Sequence, residues 1–289
     1  MRVGVVDIGT NSMRLLITDG IVEVGRWVVV TGLGRGVDAT GELAEDALER
    51  TLATLGRFGE RMDGASVGRR AAIATSATRD AANREEFLDR AASALGTRPD
   101  VIPGEREGAL AFAGASAELD DTPHVVSDIG GGSTEFVTAD GATSIDIGSV
   151  RLTDRILTER PARPGDLARA QDHVRALFRE VTASGSLVGV AGTWTSLAAI
   201  DLDLPSYDRL RVHHHRMTRS SLSRITARLA GMSVEETAEI PSLDPARAPV
   251  ILAGSVVAGC VMDTVSADTT LISEHDTLDG LARELLDLT

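Results

Sequence analysis

The sequence predicts an α/β protein of two domains, and three observations support this prediction. The chain has 289 residues, more than the roughly 100–200 residues of one ordinary domain. Short β-type apolar segments alternate with segments of helical period. One motif, an apolar strand followed by aspartate and a turn of small residues, occurs twice, as DIGTNS at 7–12 and DIGGGST at 128–134. The aspartates Asp7 and Asp128 are 121 residues apart (128 − 7), about one domain.

The first domain is predicted over residues 1–122 and begins with a β-meander. Its apolar segments predict strands at 3–7, 13–18, 21–24 and 27–31, and Asp19-Gly20 is a hairpin signal. A helical period covers 42–61, with Thr40 as the expected cap near its start. Strands at 71–75 and 101–102 then alternate with helices at 80–94 and 105–117.

The pattern restarts after Asp120-Asp121-Thr122-Pro123, a polar segment that breaks helix and marks the domain boundary. The second domain is predicted over 123–289. Its strands are expected at 125–128, 135–138, 144–147, 187–190 and 270–272. Its helices are expected at 163–183, 218–230, 233–239, 247–262 and 276–286. Its strand, turn and strand opening repeats that of the first domain.

Composition and charge exclude several classes of protein. The net charge of −14 disfavours non-specific binding of duplex nucleic acid through a basic surface. The longest apolar run, 250–262, is too short to span a bilayer core of about 30 Å, and the chain opens in a strand rather than a basic leader. Cys260 is the only cysteine, which excludes an intrachain disulfide and predicts a buried small hydrophobe. We therefore expect a reducing, cytoplasmic setting and no membrane partner.

All 29 basic residues are arginine. The absence of lysine excludes a Walker-type phosphate-loop lysine and a Schiff-base mechanism. It favours forked, bidentate arginine contacts to phosphate. A coding bias of the source organism would produce the same composition.

The two repeated turns are predicted to bind phosphate. A turn of Gly, Ser and Thr directs several N–H groups and hydroxyls to one point, and such a concavity binds phosphate oxygens. Three consecutive glycines after a buried strand indicate close approach of the backbone to a ligand. One turn in each domain indicates a cleft that holds a phosphorylated ligand from both sides. The candidate binding residues are Gly9, Thr10, Asn11, Ser12, Gly130, Gly131, Gly132, Ser133 and Thr134.

Carboxylates near these turns are candidate metal ligands and bases. Asp7 and Asp128 stand at strand ends, and Glu135 follows Asp128 by seven residues (135 − 128), where a tight turn returns it to the same rim. Hard oxygen ligands beside phosphate suit Mg²⁺, and a solvated hairpin pair is the alternative. Glu105 and Glu107 stand at a predicted helix start. They either complement the helix dipole or supply a general base that activates water.

Three further segments attract attention. Residues 75–80 run from a strand end into a helix, so Arg79 is a candidate anion clamp. Gly192 and Thr193 belong to a small-residue turn after a strand, suited to phosphate or to a nucleoside. The run 213–215 of three histidines suggests zinc, but consecutive side chains point in different directions on a helix or strand, so zinc is disfavoured.

Together these segments resemble the exopolyphosphatase and guanosine pentaphosphate phosphohydrolase family, a branch of the sugar kinase, Hsp70 and actin superfold. The matching stretches occur in the expected order over essentially the whole chain, at 7–15, 34–40, 75–88, 102–107, 128–136, 147–152, 189–198 and 272–281. The resemblance implies two ribonuclease-H-like domains around an interdomain cleft. It implies Glu107 as catalytic base, Asp128 and Glu135 as Mg²⁺ ligands that help to orient water, and contact between Arg79 and the substrate chain.

The activity implied by the resemblance is hydrolysis of the terminal phosphoanhydride of linear inorganic polyphosphate. The family pattern Ser-Gly-x-Glu-Glu-Ala corresponds to residues 103–108 of this chain. Arg106 takes the place of the first glutamate of the pattern, and Gly108 takes the place of its alanine. These departures bear on activity level and substrate choice. Longer members continue into helical C-terminal domains, so a short-chain or less processive enzyme is expected.

Three alternatives stay open at this stage. Guanosine pentaphosphate is the rival substrate, which a nucleoside pocket near 192–195 would favour. A kinase of the same superfold is disfavoured because no acceptor-binding insertion is evident. A non-catalytic sensor of phosphorylated metabolites is kept open by the altered segment 103–108. The family commonly dimerises, so a homodimer is expected, without a located interface.

Overall fold

Two mixed β-sheets form the centre of the protein, and helices pack on their faces. The computed structural model describes residues 1–120 and 122–287. The first sheet contains β1 (Val3–Ile8), β2 (Ser12–Thr18), β3 (Glu23–Val30), β4 (Arg69–Ala74) and β5 (Asp100–Val101). The second contains β6 (His124–Ile129), β7 (Thr134–Thr138), β8 (Gly141–Ile145), β9 (Ser186–Val190), β10 (Arg216–Thr218) and β11 (Thr269–Ile272). The predicted α/β class is confirmed.

Both sheets repeat one topology. The strand order is β3-β2-β1-β4-β5 in the first sheet and β10-β11-β9-β6-β7-β8 in the second. Each sheet has an antiparallel meander of three strands whose first strand pairs in parallel with the next strand of the sheet. The additional strand β10 pairs antiparallel with β11 at the edge of the second sheet. This arrangement is ribonuclease-H-like in both halves, as the repeated motif and the resemblance predict.

The helices cover the faces of the two sheets. In chain order they are α1 (Val37–Thr40), α2 (Glu45–Gly64), α3 (Ser76–Asp80), α4 (Arg84–Leu95), α5 (Gly104–Ala115), α6 (Ser149–Arg155), α7 (Asp166–Phe178), α8 (Ala191–Asp201), α9 (Arg209–Val212), α10 (Arg219–Ala230), α11 (Val234–Ala238), α12 (Ile251–Thr264) and α13 (Thr277–Leu285). Short 3₁₀ turns occur at Ser116–Glu118 and Pro245–Arg247. Over residues 1–120 and 122–287, no helix has the length and apolar character needed to cross a membrane.

Several predicted elements are wrong in extent or type. The segments 21–24 and 27–31 belong to one strand, β3. Thr40 ends α1 rather than capping α2, whose N-cap is Ala44. The predicted turn at 192–195 is the first part of α8, because Trp194 is buried in the core and holds the segment in helical form. The short elements α1, α3, α6, α9 and β10 were not predicted, because segments of three to seven residues carry little periodicity.

Each sheet has its own apolar core. Leu55, Phe58 and Phe87 pack against the first sheet. Phe136 and Phe178 meet edge to face in the second, with ring centroids 5.0 Å apart. Cys260 is buried in this second core as a free thiol, as predicted. Of the predicted domain boundary, Asp121 lies outside the described residues.

Helices α5 and α13 connect the two halves. Ala111 and Ala115 of α5 pack with Val126 and Val137 of the second sheet. On the other side, α5 packs against α13, the last described helix, whose Leu278 contacts the core of the first sheet. The final helix therefore packs on the sheet formed by the beginning of the chain.

Two glycines allow α5 and α13 to cross closely. A Cβ at Gly114 of α5 would collide with the carbonyl oxygen of Asp276. A Cβ at Gly280 of α13 would collide with the carbonyl oxygen of Leu110. In both cases the obstacle is backbone, which cannot rotate away as a side chain can.

We therefore predict that Gly114→Ala lowers the free energy of unfolding by about 1–3 kcal/mol, because the methyl group forces the two helices apart. Denaturant unfolding measures this change. The control is Gly56→Ala in α2, where a Cβ meets no atom within 4 Å. That change should be neutral, or stabilise by up to about 1 kcal/mol through helix propensity. Equal effects of the two variants would contradict the prediction.

Candidate active site

The two repeated turns close in the same way and face each other. The N–H of Gly9 donates to the carbonyl of Ser12 at 3.1 Å, and the N–H of Gly130 donates to the carbonyl of Ser133 at 3.0 Å. A Cβ at Gly131 would lie only 2.8 Å from Cβ of Thr10. Glycine at this position therefore permits the two turns to approach, and together they form one cleft.

This cleft is narrow, with a volume of about 50 Å³. Most predicted binding residues line it, together with the start of α8, whose N-terminal N–H groups favour an anion. Thr134, Glu135 and Arg79 do not line it. The lining residues are Asp7, Gly9, Thr10, Asn11, Ser12, Arg14, Thr75, Glu107, Asp128, Ile129, Gly130, Gly131, Gly132, Ser133, Ser149, Ala191, Gly192, Thr193 and Arg247.

Polar side chains of the turns differ in what they offer a ligand. Among the residues that the structure describes, Nδ2 of Asn11 has no hydrogen-bond partner, so this buried amide can donate to a ligand in the cleft. In contrast, the hydroxyl of Thr193 donates to the carbonyl of Ile129 at 2.8 Å, and that of Thr134 donates to the carbonyl of Ile147 at 2.6 Å. These two hydroxyls hold the loops in place.

Asp128 and Glu135 are direct cross-strand neighbours on β6 and β7, so both side chains lie on the same face of the sheet. Asp128 lines the cleft, and Glu135 lies behind it with no exposed surface. One Glu135 oxygen, Oε1, accepts a hydrogen bond of 2.7 Å from the Ser144 hydroxyl. The other, Oε2, is buried without a partner.

Glu107 reaches the cleft from the first turn of α5. It is buried at 9 % exposure, whereas Glu105 on the same turn is exposed. Oε2 of Glu107 has no hydrogen bond and lies 3.8 Å from the guanidinium of Arg79. Arg79 is held in turn by its own bond of 2.7 Å to the carbonyl of Ile102. The structure thus places Glu107 at the cleft and Glu105 at the surface.

The crowding of these carboxylates in a buried place raises their pKa values. Burial first, and then the charges of Glu135 and Asp128, raise the pKa of Glu107 well above its usual range. Burial and the neighbouring Glu135 do the same to Asp128. Burial raises the pKa of Glu135 to about 7 and, more weakly, that of Asp7. Entry of an anionic ligand is favoured when the charge of these carboxylates is offset, by protons or by cations.

The donor set fits Mg²⁺. Oδ1 of Asp7, Oε2 of Glu107 and Oε2 of Glu135 are all buried carboxylate oxygens without a hydrogen-bond partner. Buried polar atoms are normally satisfied, so these oxygens, two lining the cleft and one behind it, are suited to accept a cation. Hard oxygen ligands of this kind, completed by phosphate and water, are what Mg²⁺ prefers.

Arg14 is a site residue that the sequence analysis missed. It lies opposite Asp7 in the register of β1 and β2, and its Nε donates to Oδ2 of Asp7 at 3.0 Å. It also pairs with Asp276, the N-cap of α13. The sequence repeat could have identified Arg14 as a site residue. Arg14 follows Asp7 by seven residues (14 − 7), as Glu135 follows Asp128 (135 − 128).

Arg247 was also missed, and the sequence carries no signal for it. It belongs to the short turn Pro245–Arg247, far along the chain from the other cleft residues. Its guanidinium lies so close to Gly192 that a Cβ there would collide with it. Burial lowers the pKa of Arg247. Within residues 1–120 and 122–287 its side chain forms no ion pair or hydrogen bond, so its charge is available to a ligand.

A second, larger cavity of about 560 Å³ adjoins the cleft, and we call it the chamber. Arg14, Gly192 and Arg247 line both spaces. The chamber walls carry four arginines and four carboxylates, so their formal charges balance. Its lining residues are Arg14, Glu23, Arg26, Val28, Ala191, Gly192, Thr195, Ser196, Tyr207, Arg209, Pro241, Ser242, Leu243, Asp244, Arg247, Glu274 and Asp276.

Comparison with known proteins decides the family. The model of the Ppx/GppA phosphatase family matches residues 18–287. The chain belongs to this family. Exopolyphosphatase 2 of Mycobacterium tuberculosis is 36% identical over 98% of both chains. A crystal structure of the Aquifex aeolicus Ppx/GppA family member has a TM-score of 0.83 at 31% identity, covering 100% of this chain and 99% of that one.

A third relative carries a different activity in its name. The guanosine-5'-triphosphate,3'-diphosphate pyrophosphatase of Photobacterium profundum is 27% identical. The match covers 97% of this chain and 58% of that protein. The Ppx/GppA family thus contains relatives named for each of the two substrates weighed above.

The departures from the family pattern at 103–108 stay outside the cleft. Arg106 points away from it and pairs with Glu284 of α13 on the surface. Gly108 faces the second sheet, where a Cβ would lie 2.8 Å from Cγ2 of Val137. Both substitutions are therefore packing changes on α5, and neither displaces Glu107 from the cleft of this Ppx/GppA protein.

The raised pKa of Glu135 gives a prediction for stability without divalent metal. Because the folded state binds this proton at about pH 7 and an unperturbed glutamate does so near 4.5, the folded state holds more protons in between. The free energy of unfolding should therefore fall as pH rises from about 4.5 to about 7. Glu135→Gln should flatten this slope, as measured by denaturant unfolding at several pH values in EDTA. An unchanged slope in the variant would contradict the prediction.

Proposed function

We propose that this protein is an exopolyphosphatase, which hydrolyses the terminal phosphoanhydride of linear inorganic polyphosphate and releases orthophosphate. One observation carries the proposal: a cleft of about 50 Å³, walled by two phosphate-type turns and Glu107, opens into a much larger chamber. The cleft has room for a single phosphoryl group. Such a small space suits the end of a chain better than its middle, which supports attack on the terminal bond. Membership of the Ppx/GppA family and the likeness to a mycobacterial exopolyphosphatase support the same reaction.

In this proposal the chain's residues act by position and charge. The backbone N–H groups of the two turns and the free amide of Asn11 hold the terminal phosphoryl group. Glu107 orients a water molecule and takes its proton as the water attacks in line with the leaving oxygen. Arg247, at the junction of cleft and chamber, binds the next phosphate. The narrow cleft excludes bulk water from the reacting bond.

We propose Mg²⁺ as the cofactor, held by Asp128, Glu135 and Asp7. When bound, it offsets the phosphate charge and stabilises the charge that develops on the phosphoryl oxygens. The unpartnered buried oxygens of Asp7 and Glu135 support this assignment. The raised pKa values of Asp128 and Glu135 favour retention of protons when no cation is bound. A cytoplasmic location and a homodimer stay predictions from the sequence.

Guanosine pentaphosphate is the second candidate substrate, and the chamber favours it. A polyphosphate chain needs excess positive charge along its path, but the chamber has balanced charges. Its walls include apolar side chains such as Val28 and Leu243, and it holds Thr195 of the segment where a nucleoside pocket was expected. A volume of about 560 Å³ lies within the range of small-molecule sites. A nucleoside with its phosphates in the cleft would use both spaces.

We predict that the purified protein with Mg²⁺ releases phosphate from short and long polyphosphate, and that Glu107→Gln lowers kcat about 10²–10⁴-fold through loss of the base. The matched control is Glu105→Gln, because Glu105 is exposed on the same helical turn. It should keep the wild-type rate. Guanosine pentaphosphate, tested at equal terminal-phosphate concentration and as a competitor, ranks the two substrates. Wild-type turnover by Glu107→Gln would overturn the base assignment. Tight binding without release from any substrate would indicate the sensor instead.

Arg247→Gln should lower kcat/KM about 10–100-fold, because it removes a charged hydrogen bond worth about 1.5–3 kcal/mol. Steady-state kinetics on short polyphosphate measures this loss. Arg106→Gln is the control, since the Arg106 guanidinium pairs with Glu284 on the surface and does not line the cleft described above. A kcat/KM for Arg247→Gln equal to that of Arg106→Gln would exclude Arg247 from substrate binding.

A further inference from the structure

Three histidines surround one carboxylate away from the cleft. Glu118 ends the 3₁₀ turn that follows α5. Nε2 of His213 lies 3.0 Å from its Oε2, and Nε2 of His214 lies 3.8 Å from the same atom. Nε2 of His275 lies 3.8 Å from Oε1. The group joins segments 95 and 157 residues apart in sequence (213 − 118 and 275 − 118), and the proposed function makes no use of it.

The backbone explains why neighbouring histidines converge. His214 has a φ of 64°, in the left-handed region, which turns its ring onto that of His213. The two rings stack with centroids 3.8 Å apart. The sequence argument that consecutive side chains diverge is therefore wrong for this pair. It holds for His215, whose Nε2 points to Asp201 at 2.9 Å.

We propose that Glu118, His213 and His275 form a binding site for a zinc-type divalent cation. One ligand atom from each of the three lies within 4.8 Å of the other two. A tetrahedral zinc ion with bonds of about 2.0–2.2 Å holds its ligand atoms about 3.4 Å apart. Nε2 of His213 lies 3.0 Å from Oε2 of Glu118 and Nε2 of His275 lies 3.8 Å from Oε1, so each histidine is near that spacing from one of the two carboxylate oxygens. Glu118 is exposed and the two histidines are half-buried, so closing the site requires the three side chains to move together.

The ligand chemistry distinguishes this site from the cleft. Two imidazoles and one carboxylate suit zinc and its neighbours among the transition metals, whereas Mg²⁺ prefers oxygen ligands alone. Three protein ligands leave a fourth position for water. Binding here does not depend on the proposed hydrolase activity.

Metal binding at His213 has a structural consequence. Its Nδ1 accepts a hydrogen bond of 3.1 Å from the N–H of Glu274, so in the neutral ring the proton is on Nε2. Coordination through Nε2 moves the proton to Nδ1, and the N–H of Glu274 must then turn away. Glu274 and Asp276 line the chamber, so the cation would shift one of its walls.

The test is calorimetric titration of metal-free protein with Zn²⁺ in millimolar Mg²⁺, which occupies oxygen-only sites. We expect one equivalent of Zn²⁺ in the wild type, lost in both Glu118→Gln and His275→Ala. His215→Ala is the matched control from the same histidine run and should keep it. Co²⁺ in place of Zn²⁺ should give the visible absorption of a tetrahedral complex in the wild type and in His215→Ala only. Circular dichroism establishes that every variant is folded.

Two results would overturn the proposal. One is equal Zn²⁺ binding by the wild type, Glu118→Gln and His275→Ala, which would place the ion elsewhere. The other is the absence of Zn²⁺ binding by folded wild-type protein. A shift of the Glu274 amide resonance on addition of Zn²⁺ is expected from the displaced hydrogen bond. An unmoved resonance alongside full binding would overturn the role of His213.

Discussion

The ion pairs of Arg14 are the interaction on which the cleft depends. Its half-buried guanidinium lies between Asp7, near the end of β1, and Asp276, the N-cap of α13. A buried charge is tolerated only when it is paired, so these groups depend on one another. Without Arg14, Asp7 would add an uncompensated charge to a place that already holds Asp128 and Glu107. The same contacts tie the first two strands to the final helix, and so fix the wall shared by cleft and chamber.

The internal repeat explains how one architecture carries two electrostatic roles. Seven residues after the strand-end aspartate, the first half has Arg14 and the second half has Glu135. In each sheet this residue lies directly opposite the aspartate. The first half therefore neutralises its own aspartate, whereas the second half doubles the negative charge. A single charge reversal at an equivalent position separates a wall whose charges are paired from one that holds two neighbouring carboxylates.

Much of this arrangement is readable in the sequence, and the missing parts have physical reasons. The period of apolar residues reveals long elements such as α2 and α12, and the repeated DIG motif identifies both turns and their shared cleft. Glu107 is separated from Glu105 only by burial, which depends on how α5 packs. Arg247 reaches the cleft from a short turn that has no local signature. The convergence of the His213 and His214 rings depends on the left-handed backbone of His214, a conformation that no sequence pattern predicts. Tertiary packing decides each of these cases.

Helix α5 packs on the second sheet through Ala111 and Ala115 and against α13 through a near-backbone contact at Gly114. It also carries Glu107 on its first turn. The helix is thus held on two sides, and Glu107 lies at its N-terminal end. Any relative motion of the two sheets must change the position of Glu107 relative to Asp7 or to Asp128, because α5 cannot follow both sheets. The position of Glu107 relative to both aspartates is therefore set by the relative position of the two sheets.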